Sequence, residues 1–294
     1  MFASGRFQVS CDRRDTRLAR ALLTSAALRD SFPGLPRPQR AVLIEIAPDA
    51  RTFVQRAGPA APEWGAAVAI PEQQRVVMQG GRAGSDAGDP MVALRHELAH
   101  LALHEVMGQL PPRWFDEGYA SYAANEWTRD RAFETSLGMV WHTLPSRDAL
   151  EEGFAGGAAR AEWSYAVAYR VVSELAQLDT LNRLDNFFRD WKLSGSFEAG
   201  LRSAFGITGV QFDRHWQQRT RQRYGALAVV ANLSLVGGAF ALLLGPLFWM
   251  RRRRDRRRLE AMRLADARQE AALEASALTA LMAEPAQTTD GLPL

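Results

Sequence analysis

The sequence predicts an α+β protein: a small N-terminal α/β lobe with a mixed sheet, a helical half, and then one C-terminal transmembrane helix. Three observations carry this. Short Val- and Ile-rich runs bounded by Pro and Gly are confined to the first 80 residues. From Asp89 to Tyr224 the apolar spacing is helical. Ala226 to Met250 is a run of 25 residues without a charge, about 37 Å as a helix, which is enough to cross a bilayer core with some tilt.

In chain order, Phe7 to Cys11 reads as a short strand and Asp15 to Arg29 as a helix whose apolar face carries Leu18, Leu22, Leu23 and Leu28. Ser31 to Pro38 is a break, rich in Pro. Ala41 to Ala47 is the strongest strand, and Arg51 to Arg56 a short helix. Gly65 to Ile70 and Arg75 to Gln79 are two further strands. Gly80 to Gly88 is a glycine-rich loop without the lysine of a phosphate loop. Asp89 can cap a helix that has Pro90 at its first position and stops at Gly108. Pro111-Pro112 opens a second helix, to about Trp127, and helices follow over Ala161 to Leu178 and Leu181 to Leu193. The expected divisions are 1–88 for the α/β lobe, 89–225 for the helical part, 226–250 for the span and 251–294 for a basic tail containing a helix over Leu259 to Ala283.

Composition excludes some classes. The net charge of +3 and pI of 9.4 are not a nucleic-acid signature, because the densest basic cluster, Arg251 to Arg254 with Arg256 to Arg258, directly follows the uncharged run. Under the positive-inside rule those arginines lie in the cytoplasm and residues 1–225 outside the cell membrane. Residues 1–30 lack a basic-then-apolar signal peptide. Two routes are compatible with that, insertion without a cleaved signal or a longer natural chain, and the second is favoured. Cys11 is the single cysteine, so no intrachain disulfide forms, and its position near a strand end reads as packing.

Residues 96–100 read His-Glu-Leu-Ala-His. On a helix, His96 and His100 share a face and can reach one ion, which fits Zn²⁺ with a position left open for water. Glu97 is turned about 100° away, so it misses the ion yet reaches its water, as a general base must. His104 continues the face but lies about 12 Å along the axis from His96. With no glycine break between His100 and His104, one ion cannot hold both, so His104 reads as an outer or surface residue, and Glu105 fails for the same reason. Glu117, on the next helix, can be returned by a helix hairpin, with Asp116 as its rival.

HELAH followed by WFDEGYASY over 114–122 resembles the gluzincins, which include thermolysin-like enzymes and the alanyl-aminopeptidase-like clan. The resemblance covers about residues 90–180. It implies that Glu117, in Trp-x-x-Glu-Gly-x-Ala, is the third zinc ligand, and the Glu-Gly pairing argues against Asp116. It also implies a Tyr or His on a later helix that stabilises the oxyanion. Tyr165, in WSYAVAYRVV, is the choice over Tyr169, with His142 as runner-up. Two departures stand out: the stretch between the motifs is slightly short, and the Gly-x-Met-Glu-Asn segment that holds a substrate amino terminus is absent.

The expected function is a membrane-tethered zinc peptidase acting on a peptide or protein, with no nucleic-acid partner. The alternative is an inactive peptidase-like scaffold at the membrane, which a changed ligand or base would signal; all four residues are present. An intramembrane protease is rejected, because Met91 to Met107 contains Arg95, Glu97, His104 and Glu105. By analogy to the family, one of the strands Gly65 to Ile70 and Arg75 to Gln79 forms an edge above the metal helix for a peptide to pair with.

Overall fold

The structure, a computed structural model of the whole chain, describes residues 1–58, 66–81, 88–108, 111–126, 144–155, 158–178, 184–223, 242, 244–254 and 256. The chain divides into two units, Met1–Ala228 and Val229–Leu294.

The first unit begins with a five-stranded mixed sheet of order β1-β2-β3-β5-β4, from β1 (Phe2–Ser4), β2 (Phe7–Ser10), β3 (Val42–Ala47), β4 (Ala67–Ile70) and β5 (Arg75–Gln79). The three central strands are parallel and both edges antiparallel. β1 was not expected from sequence; it is three residues long and depends on Gly5, whose φ of 56° closes the hairpin. α1 (Thr16–Leu28) buries Leu22 and Leu23 on the sheet, whereas Leu28, expected on that face, is 79% exposed at the frayed last position. Strand alternation divides the sheet's side chains between two layers. Val42, Ile44, Ile46, Val76 and Met78 enter the main core, while Ala47 and Val77 meet Phe53 of α2 (Ala50–Ala57) on the other face.

α3 (Pro90–Met107) lies between sheet and helices. Asp89 accepts a hydrogen bond from the Met91 amide at 2.8 Å, and Gly108 ends the helix at φ 73°. Leu94, Leu98, Ala99, Leu101, Ala102, Leu103 and Met107 are buried, so the helix is covered on most sides. It packs on β4, β5 and α4 (Arg113–Ala124). Pro112 offers α4 no side-chain cap; the Glu151 carboxylate instead accepts the amides of Arg113 and Trp114, each at 2.9 Å. Asn125, at φ 55°, stops α4 just short of the expected Trp127.

Among the described residues of this unit the further helices are α5 (Arg147–Gly153), α6 (Ala158–Gln177), α7 (Leu184–Ser194), α8 (Phe197–Phe205) and α9 (209–223). Phe115 is buried within a cluster of edge-to-face rings with Trp114, Phe188 and Trp191, which ties α4 to α7. α4 and α6 meet at Gly118, where an added Cβ would lie 2.5 Å from the Ala168 carbonyl oxygen and 2.9 Å from Val172. Glycine is required there by backbone approach, and its neighbour is Glu117. Gly118→Ala is therefore expected to destabilise the protein by about 1–3 kcal/mol, the usual cost of overpacking, read as a lowered Tm in calorimetry.

Of the second unit, 242, 244–254 and 256 are described, all helical and exposed. The Arg253 guanidinium lies 3.8 Å from the centre of the Trp249 ring. Among the described residues no helix is long and apolar enough to cross a membrane. Most of the expected span 226–250, the expected helix 259–283 and the last eight residues lie outside the described residues.

Candidate metal centre

His96 and His100 sit one turn apart on α3 with ring centroids 4.8 Å apart. Their Nε2 atoms lie 3.5 and 3.7 Å from one oxygen, Oε2, of Glu117 on α4. One donor atom from each of the three lies within 4.8 Å of the others. All three residues are half-buried. The pairing of α3 with α4 is what returns Glu117 to the histidines, and Gly118 sets how closely α4 can sit against α6.

The far side of each imidazole is occupied. His100 Nδ1 is 2.8 Å from Asp116 Oδ1, and His96 Nδ1 is 3.1 Å from Glu126 Oε2, which also accepts from the Ser121 hydroxyl at 2.8 Å. A carboxylate can only accept, so each Nδ1 is the N–H and Nε2 is the atom left to face Glu117. Two imidazole Nε2 atoms and one carboxylate oxygen converging on a point, each imidazole oriented from behind by a carboxylate, is a donor set that fits a divalent metal such as zinc. Asp116, the rival third ligand, thus orients His100 instead. Glu126 was not singled out from sequence: it lies beyond the left-handed Asn125, and only the turn there aims it back at His96. Outer partners of this kind are worth 10–100-fold in metal affinity. Asp116→Asn and Glu126→Gln are each expected to weaken zinc binding by about that factor, measured by competition with a chelating dye.

Electrostatics follow from burial and these contacts. Burial disfavours the charged His100 ring, but Asp116 and Glu117 outweigh it and raise its pKa to about 9. His96 is opposed by burial in the same way and is held well above its ordinary range by hydrogen bonds to Glu117 and Glu126. Burial pushes the Glu117 carboxyl up, yet His96, His100 and Arg113 bring it below its ordinary value. For Glu97 burial wins, and its pKa is raised despite both histidines.

Glu97 is near enough to His96, His100 and Glu117 for their charges to act on it, and it also reaches the sheet. Its Oε2 accepts from the Ala69 amide at 2.6 Å. Ala69 is on β4, an edge strand of the sheet among the described residues. Gln79 donates to the Ala66 carbonyl at 3.0 Å, and with Ala67 opposite Met78 the alternation of an antiparallel ladder turns the backbone groups of Ala67 and Ala69 outward. β4 is therefore the edge beside the metal helix, and β5 is interior.

Tyr165, on α6, places its hydroxyl 3.4 Å from Glu117 Oε1, and its ring meets Phe154 edge-on at 5.1 Å. Burial and the neighbouring Glu117 raise its pKa. Tyr169 lies one turn further along α6. His142 lies outside the described residues. His104 is half-buried with an unpartnered Nδ1 and is not part of the cluster. Glu105 accepts from the Gln39 amide at 2.8 Å and holds the 39–40 loop.

A peptidase-like protein is what this fold and cluster define. Residues 34–222, well over half of the chain, match the Peptidase MA superfamily, and the chain belongs to it. It is also similar to the uncharacterized protein YhcO of Bacillus subtilis, at 22% identity over 176 residues, covering 57% of this chain and 52% of that one. The chain thus spans about half the length of this curated relative.

Proposed function

We propose that the chain is a gluzincin-like zinc peptidase that hydrolyses peptide bonds with an activated water. It is tethered by the span 226–250, with residues 1–225 outside the cell membrane and the arginine-rich segment in the cytoplasm. The observation that carries the chemistry is the convergence of His96, His100 and Glu117 beside Glu97, which is itself bonded to the edge strand β4. Zinc held by those three residues would supply Lewis acidity, which polarises a peptide carbonyl and acidifies water.

The other steps fall to the chain's own residues. An extended peptide pairs with the outward backbone groups of β4 that Glu97 leaves unbonded, which sets its scissile bond along α3. Glu97, whose pKa burial raises, takes the proton of the attacking water on its carboxylate and returns it to the departing amine. The Tyr165 hydroxyl donates towards the oxygen on which charge develops. A scaffold that had lost activity would be expected to lack a ligand or the base, and none is missing.

Two measurements test the proposal. The full chain, supplied with zinc in detergent, should bind one equivalent and cleave members of a generic peptide library, with loss of both on chelation. No cleavage by the zinc-loaded chain would favour the inactive scaffold. Protease shaving of spheroplasts should digest residues 1–225 and spare the tail; the reverse pattern refutes the orientation.

A further inference from the structure

Arg113 is the first residue of α4, one turn before Glu117. Its Nε is 3.8 Å from Glu117 Oε1, a terminal nitrogen is 3.5 Å from the Tyr165 hydroxyl, and the guanidinium lies 5.2 Å from the centre of the Phe154 ring. The side chain is nevertheless 54% exposed, so part of its five-donor fork faces solvent. Among the described residues it is the arginine or lysine that pairs with the cluster. The other charged side chains around it are the carboxylates Glu97, Asp116 and Glu126, with Glu151 at the start of α4. A cation at the first position of a helix opposes the helix dipole, which here is offset by the Glu117 and Glu151 carboxylates.

We propose that Arg113 is a specificity residue that receives a carboxylate of the peptide, so that the site selects peptides with an acidic side chain or a free C-terminal carboxylate near the scissile bond. This rests on the peptidase reading. A metal held at Glu117 Oε2 would draw on the charge that otherwise faces Arg113, and the half-exposed guanidinium, beside the Tyr165 hydroxyl and under the charge of Glu151, would keep donors turned to solvent. A planar fork already oriented by an aromatic face and a hydroxyl then matches a carboxylate with little further ordering. An ammonium in its place would lack that fork.

The test uses the zinc-loaded full chain carrying Glu97→Gln, so that binding is read without turnover. The probes are alanine-based hexapeptides in pairs, Asp against Asn at one position at a time and free against amidated C-terminus, titrated by calorimetry. At least one acidic member should bind about 10–100-fold tighter than its neutral twin, the effect of one charge-assisted hydrogen-bonded pair. Adding Arg113→Gln should bring that ratio to about 1, Arg113→Lys should restore part of it, and zinc content should stay that of the parent. An Asp/Asn pair that discriminates identifies a side-chain carboxylate, and a discriminating terminal pair identifies the chain end. Equal binding of every pair, or a preference that survives Arg113→Gln, overturns the proposal. Cleavage by the chain with Glu97 intact is scored separately. A binding preference without cleavage refutes the peptidase and keeps the carboxylate site, and cleavage without preference refutes the carboxylate site alone.

Discussion

Glu97→Gln is expected to keep the metal and the fold and to lose on the order of 10²–10⁴-fold in kcat, the size of general acid–base effects. Glutamine has the same shape but accepts no proton at its amide. The structure adds a reason to expect a clean result. Glu97 is bonded to the Ala69 amide and is not one of the three residues whose donor atoms converge, so the substitution leaves His96, His100, Glu117 and both outer carboxylates in place. The amide oxygen of glutamine can still accept from Ala69, so the edge strand stays anchored as well. The measurement is a library cleavage assay beside metal analysis of the same sample. Cleavage at the parent rate would remove Glu97 from the role of base, and loss of zinc together with rate would make the effect structural.

Glu117→Ala is expected to abolish stoichiometric zinc retention, with a loss of affinity larger than the 10–100-fold that an outer partner is worth. Glu117 Oε2 is the atom that both Nε2 groups face, at 3.5 and 3.7 Å, and without it the site has two ligands from one helix. The parent protein carries a pH signature that goes with this. The pKa of His100, about 9 in the metal-free chain, lies above its unfolded value, so the ring is protonated at neutral pH and must lose that proton to ligate. Zinc affinity should therefore rise with pH towards 9 and fall on acidification, by about tenfold per unit for each proton released. Equimolar zinc in Glu117→Ala, measured by plasma emission after gel filtration, would overturn the ligand assignment.

Several elements were legible in the sequence because their signals are local. Asp89-Pro90 and Gly108 bound α3 at the residues expected, and Arg75 to Gln79 is a strand with the bounds that its apolar run and Gly80 suggest. The spacing of His96 and His100 needs only the helix period to put both on one face. β1 escaped notice because three residues carry too little pattern, and its pairing is supplied by β2. Periodicity places Leu28 on the core face, but the helix ends there and exposes it.

What the sequence determined by itself, then, is the pair of histidines on one helix face, the glutamate beside them and the α+β class, all set by periods of 3.6 and 2 residues that act within one element. Tertiary structure alone decided which carboxylate does what. Asp116 and Glu117 are neighbours in sequence, yet the approach of α4, seated on α6 through Gly118, turns Glu117 to both Nε2 atoms and Asp116 to the back of His100. Glu126 reaches His96 only through the left-handed turn at Asn125, and Arg113 and Tyr165 meet beside Glu117 from helices some fifty residues apart in the chain. A roughly 100° step around a helix separates adjacent side chains, so a rotation of α4 too small to alter any sequence pattern would exchange these roles.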